Sequence, residues 1–142
     1  MTTQYPIILH PADEGGFAVE FPDLPAWTQG ETVEECLEMA EDCLEVTIVS
    51  LIHDGDDIPE PSAKGDHFVA LSEEVALKLA FYRAFKASGI TKAELGRRLK
   101  WHGPQVQRLF SADHRTRTDR LLAAFHALGK RVSFVVEDAD AA

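Results

Sequence analysis

The stretch from Thr32 to Gly55 limits the fold more than any other part of the chain. Val33, Leu37, Ala40, Leu44, Ile48 and Leu51 recur in steps of three and four, one stripe of a single long helix. Thr32-Val-Glu-Glu35 is a capping box that opens this helix, and Gly55 ends it. The opposite face carries Glu34, Glu38, Glu41, Asp42 and Glu45, with no lysine partner inside the helix. Like charges at this spacing cost about a few tenths of a kcal/mol each. An apolar stripe of this length needs a surface to pack on, and the flanking segments offer one as strands.

Residues 5–10 are extended, and 11–16 form a turn with Gly15-Gly16 at its tip. Phe17, Val19 and Phe21 then alternate with Ala18 and Glu20, which predicts a β-hairpin with one buried face. Pro22, Pro25 and Gly30 break the chain around a short third strand at Trp27-Thr28, and residues 67–71 read as a fourth after a proline-bearing connection.

From Ser72 the pattern turns helical. Ser72 caps a helix with Val75, Leu79, Tyr82 and Phe85 or Lys86 on successive turns, ending at Ser88-Gly89. Ile90-Thr-Lys-Ala-Glu94 is a second capping box, with Ile90 and Leu95 as its hydrophobic staple. A short helix at 92–99, a turn at 100–103 and a second helix at 104–111 opening on Pro104 have the form of a helix-turn-helix. Leu95, Leu99, Trp101, Val106 and Leu109 are spaced to share a core, and Gly96 is the small residue needed where the helices cross. A last helix carries Leu121, Leu122, Phe125 and Leu128, closed by Gly129. The alternating residues 131–137 predict a strand, and a lone strand needs a partner edge.

Charge divides the chain at about the same place. Residues 1–66 hold 16 acids and one base, Lys64, a net of −15, while 67–142 hold 13 bases and 8 acids, a net of +5. Such a split assigns the two parts to different partners. The basic half suits phosphates, and the acidic half suits a basic protein. Hydrophobic and charged shares of 45% and 27% are globular, and no run of apolar residues approaches a membrane span. Cys36 and Cys43 lie seven apart on one helix, too far for a disulfide, and are expected as thiols in a reducing cytoplasm.

In a helix-turn-helix the start of the second helix enters the major groove. Its candidate base readers are His102, Gln105, Gln107 and Arg108, since Gln pairs with adenine and Arg with guanine. Lys92, Arg97, Arg98, Arg115 and Arg117 are candidates for phosphate contacts. Catalysis finds no support. The strands at 5–10 and 67–71 hold no carboxylate, so a two-metal nuclease centre lacks converging oxygens. The six histidines are scattered without a third donor, so neither a metal nor a cofactor is expected.

Several segments in order resemble the HicB family of antitoxins, from HicA–HicB toxin–antitoxin pairs. They are Tyr5-Pro6, Glu14-Gly-Gly-Phe17, Phe21-Pro-Asp-Leu-Pro25, Thr28-Gln-Gly-Glu-Thr-Val-Glu-Glu35, Ile58-Pro-Glu-Pro-Ser62 and His67-Phe-Val69. Ile90-Thr-Lys-Ala-Glu-Leu-Gly-Arg-Arg-Leu99, Gln105-Val-Gln-Arg-Leu109 and Ala127-Leu-Gly-Lys-Arg131 resemble its helix-turn-helix subgroup. Two departures stand out. Ala26-Trp27 replaces the Gly-Cys pair of many members, and Gly103-Pro104 removes two side chains from the start of the recognition helix.

The resemblance implies a partly degenerate RNase H-like domain at 1–70 that blocks a HicA-type mRNA interferase, and an operator-binding domain at 71–142. The expected fold is therefore α+β. Expected toxin contacts are the acids Glu34, Glu38, Glu41, Asp42 and Glu45, as steering charge, and the loop from Phe21 through Asp23 to Trp27, as apolar contact. Val132, Phe134 and Val136 are the expected dimerisation strand. The alternatives are a ligand-responsive repressor without a toxin and a residual nuclease.

Overall fold

The sheet is built on one long strand. The computed structural model describes residues 4–61, 64–112 and 116–139. Strand β1 (Gln4–Pro11) pairs through its first half with β4 (His67–Ala70) and through its second with β2 (Phe17–Glu20). β2 pairs in turn with β3 (Trp27–Gly30), giving the order β3-β2-β1-β4, antiparallel throughout. Residues alternate across a strand, so Tyr5, Ile7, Val19 and Val69 share the buried face.

Helix α1 (Val33–Asp54) covers that face. Thr32 Oγ1 accepts the Glu35 N–H at 3.1 Å, and Gly55, at φ 77°, closes the other end in the left-handed region that glycine enters without strain. The fully buried row is Cys36, Ala40, Leu44, Ile48 and Ile52, with Leu37 and Leu51 half-buried beside it. The stripe is thus rotated toward the cysteine from the one expected, because Cys36 packs as a small hydrophobe.

α2 (Glu73–Ser88) joins the two halves. Its Ser72 cap accepts the Val75 N–H, and Phe81, Tyr82 and Phe85 cluster with Phe110 and Phe125, the Phe85 and Phe110 rings 4.9 Å apart. Helices α3 (Lys92–Leu99), α4 (Gly103–Gln107) and α5 (Thr118–Ala127) complete the chain. One hydrophobic core runs from Tyr5 to Phe125 without a break at residue 70. The architecture is α+β: a four-stranded antiparallel sheet with one long helix on it, followed by helices.

Two expected elements differ. The helix at 104–111 divides into α4 and a 3-10 turn, Arg108–Phe110. There the Arg108 carbonyl accepts from the Ser111 N–H and the Thr116 hydroxyl, while Leu109 and Phe110 turn into the core. The strand expected at 131–137 is absent, since residues 130–139 have no regular secondary structure. Val132 is half-buried against the core, whereas Phe134, Val135 and Val136 are exposed, Val136 to 96%. A ladder forms only on a partner edge, and this segment pairs with neither edge strand of the sheet, β3 or β4.

Candidate nucleic-acid and protein-binding surfaces

Helices α3 and α4 pack against each other across the turn at residues 100–102. Thr91 Oγ1 caps α3 through the Glu94 N–H at 3.1 Å. Lys100 then takes a left-handed conformation (φ 59°, ψ 39°), which lets the Trp101 N–H return to the Gly96 carbonyl at 3.0 Å. For a residue with a Cβ that conformation costs about 1 kcal/mol or more. Gly96 sits where the two helices touch, and a Cβ on it would lie 3.2 Å from Val106 Cγ2. The expected crossing glycine is therefore where the sequence put it. A shallow groove of about 630 Å³ between the helices is lined by Lys92, Arg97, Lys100, His102 and Gln107 among others.

The base-reader candidates separate. His102, Gln107 and Arg108 are exposed at the start and end of α4. Gln105 is half-buried, and its Oε1 accepts the His102 N–H at 2.8 Å, so it works first as the cap of α4. The phosphate candidates separate too. Glu94 holds Arg97 at 2.7 Å and Arg98 at 3.4 Å, and Arg98 also donates to the Ala127 carbonyl at 3.1 Å. The hydrogen bond from Arg97, then its charge and the Arg98 contact, keep the Glu94 carboxyl below the usual range. Arg117 is paired with Asp119 at 2.9 Å, and Lys92 stands over the Phe110 ring at 4.5 Å. Arg115 lies outside the described residues.

In the acidic half, Glu34, Glu38, Glu41 and Asp42 are exposed along α1. Two of the expected contacts are engaged within the chain. Phe21 is only 3% exposed and belongs to the core, its N–H donating to the Ala26 carbonyl at 3.3 Å. Glu45 is half-buried, and its Oε1 accepts the Ser72 N–H at 3.0 Å, tying α1 to the start of α2. Asp23 is half-buried in the β2–β3 loop, while Trp27 is 64% exposed and pairs in register with Glu20. Trp27 therefore points away from α1, on the other side of the sheet from the helix acids.

One charged group escaped sequence reading. Lys78 is 4% exposed, and its Nζ donates to the Ser111 carbonyl at 2.6 Å, tying α2 to the end of the 3-10 turn. Burial lowers its pKa to about 8. Its position on the helical stripe between Val75 and Leu79 was the one available signal. Cys36 is buried, and that burial, then Glu35 and Glu31, pushes its thiol up. Among the described residues no three His, Cys, Asp or Glu side chains gather as a metal site. No helix there is long and apolar enough to cross a membrane.

Residues 4–80 match the family model of a HicB-like antitoxin of bacterial toxin–antitoxin system. The chain belongs to the HicB family of antitoxins. It is similar to Antitoxin HicB of Escherichia coli strain K12, at 42% identity over 136 residues, covering 94% of this chain and 99% of that one. Antitoxin HicB 1 of Photorhabdus laumondii is 37% identical over 94% of this chain and 87% of its own. Antitoxin HicB of Pseudomonas fluorescens strain Pf0-1 is 33% identical over 84% and 83%. The HicB match through residue 80 spans the sheet, α1 and half of α2, and the full-length HicB relatives carry the likeness through α3 to α5.

Proposed function

We infer that this HicB-family antitoxin binds and blocks a HicA-type mRNA interferase through its acidic half and represses its own operon through the helix-turn-helix. The observation that carries the reading is the joining of −15 on the sheet half to two short helices, α3 and α4, packed across a turn in the basic half. A protein that cleaves RNA presents a basic surface, and the acids of α1 attract it over roughly a Debye length. The blocking is steric, so the antitoxin needs no catalytic group, metal or cofactor. His102, Gln107 and Arg108 then read bases, while Lys92, Arg97, Arg98, Arg115 and Arg117 follow the phosphates. The protein acts in the cytoplasm, where the operon and its messenger meet.

The exposed segment with Phe134 and Val136, anchored at Val132, pairs with its copy in a second chain. A two-fold dimer of this kind sets two recognition helices about 34 Å apart, one turn of DNA.

Growth rescue tests the first part. The small open reading frame beside this gene is induced with and without the full chain, and arrest relieved by the chain is the expected result. Toxicity without rescue defeats the antitoxin reading and favours a ligand-responsive repressor. Operator footprinting of wild type against Arg108→Ala tests the second part, with loss of protection expected for the variant.

A further inference from the structure

A sheet covered on one side only normally turns polar side chains to water on the other. Here only part of that face is polar. The positions pointing away from α1 are Gln4, His10, Glu20 and Gln29 and, between them, the apolar Pro6, Ile8, Ala18, Trp27, Phe68 and Ala70, of which Pro6 is buried. Trp27 and Phe68 are 64% and 53% exposed, one on each edge strand. The one carboxylate among these positions, Glu20, is spent on His10 at 2.8 Å, and the His10 ring stacks on Trp27 at 6.5 Å between centroids. The indole thus stands on a fixed neighbour, as an interface anchor does.

The ends of the strands are acidic. The turns and loops bounding the strands carry Asp13 and Glu14, Asp23, Glu31 and Asp66, and Lys64 is the one base among residues 1–66. An apolar centre with a polar rim is the anatomy of a protein interface. The rim also selects the occupant. A second copy would set acid against acid, whereas a partner with an apolar patch flanked by lysine and arginine would meet opposite charge at the strand ends. The outer face of α1 offers less, with Met39 and Val46 separated by two helical turns of acids.

We propose that the toxin-type partner docks on this open sheet face, with Trp27 and Phe68 as its anchors, and that the acids of α1 act only at a distance. The proposal rests on the antitoxin reading above and names the face that reading uses. The helix acids then raise the association rate, and the sheet face sets the lifetime of the complex.

The test measures binding kinetics of the full chain against the purified small basic protein encoded beside its gene. Trp27→Ala with Phe68→Ser is expected to weaken binding at least 100-fold, nearly all through faster dissociation. Neutralising Glu34, Glu38, Glu41 and Asp42 to their amides is expected to slow association and flatten its salt dependence, with dissociation unchanged. Dissociation unchanged in the sheet variant, or accelerated in the helix variant, overturns the proposal while the antitoxin reading stands. A sheet variant that alters the mass of the isolated chain assigns the face to a second copy and also overturns it. No binding by wild type defeats both readings together. Trp27 gives an independent measure in a Trp101→Phe background, where acrylamide quenching is expected to fall severalfold on complex formation. Unchanged quenching in a saturated complex overturns the proposal without any change to the sheet face.

Discussion

Arg83 of α2 donates to the Tyr5 hydroxyl of β1 at 3.1 Å, and that hydroxyl donates onward to the Pro59 carbonyl at 2.6 Å. The same guanidinium reaches the Ile58 and Pro59 carbonyls at 3.3 Å and Glu60 at 3.1 Å. A helix of the basic half thereby holds the first strand and the connection of the acidic half in one place. Arg83→Met keeps the packing of the side chain but removes these donors. It is expected to cost about 2 kcal/mol, or roughly 5–8 °C in Tm. Thermal melting reads the loss, and a melt equal to wild type removes Arg83 as the tie between the halves.

Lys78 makes stability depend on pH in an uncommon direction. Its folded pKa is lowered to about 8 from 10.5, so between those values the unfolded chain binds a proton that the folded chain does not. Stability therefore rises with pH across that window, by up to about 3 kcal/mol in full. Tyr5 and Tyr82 act against it from about pH 10 upward. Burial raises both pKa values, so the unfolded chain ionises first and gains there. Denaturant melts are expected to show wild type gaining stability from pH 8 to 9.5 and Lys78→Met showing no such gain. A parallel pH profile for the two proteins removes Lys78 as the source.

Gly96 tests the crossing of α3 and α4. Gly96→Ala adds a Cβ at 3.2 Å from Val106 Cγ2, a clash that the better helix propensity of alanine, about 1 kcal/mol, largely offsets. Gly96→Val cannot be accommodated so, and is expected to cost about 2 kcal/mol and to abolish DNA binding, by melting and fluorescence anisotropy. DNA binding retained by Gly96→Val would show that the close crossing is not needed for recognition.

Glu94 withholds Arg97 and Arg98 from solvent anions. Glu94→Gln releases both and removes a negative charge beside the proposed phosphate path. Operator affinity is expected to rise by about threefold to tenfold, with the slope of log K against log salt steeper by up to about 1. A salt titration by anisotropy reads both, and unchanged affinity removes these two arginines from the phosphate contacts.

Much of the fold was legible because its signals are local. The caps at Thr32, Ser72 and Thr91, the stop at Gly55 and the crossing at Gly96 depend on a few neighbouring residues, and each stands where it was expected. The candidate surfaces were less legible. His102, Gln107 and Arg108 stay open, but Gln105 serves as a cap and Glu45 as a tie to Ser72. Those uses depend on what lies nearby in space, which spacing along the chain does not report.

The loop from Phe21 to Trp27 separates the two kinds of information most clearly. Alternation put Phe21 on the buried face of the hairpin, and the family resemblance offered the whole loop as an apolar contact. In the fold Phe21 turns inward and Trp27 outward, because the pairing of Glu20 with Trp27 sets which side of the sheet each residue faces. The segment at 131–137 has the alternation of a strand and is not one, since a strand needs an edge to pair with and the segment meets neither β3 nor β4. Sequence alone determined most of the elements, their order and the division of charge, all of which follow from short-range backbone chemistry and from counting. Tertiary structure decided which apolar side chains were left over for a partner, because burial is settled by what the rest of the chain can reach to cover.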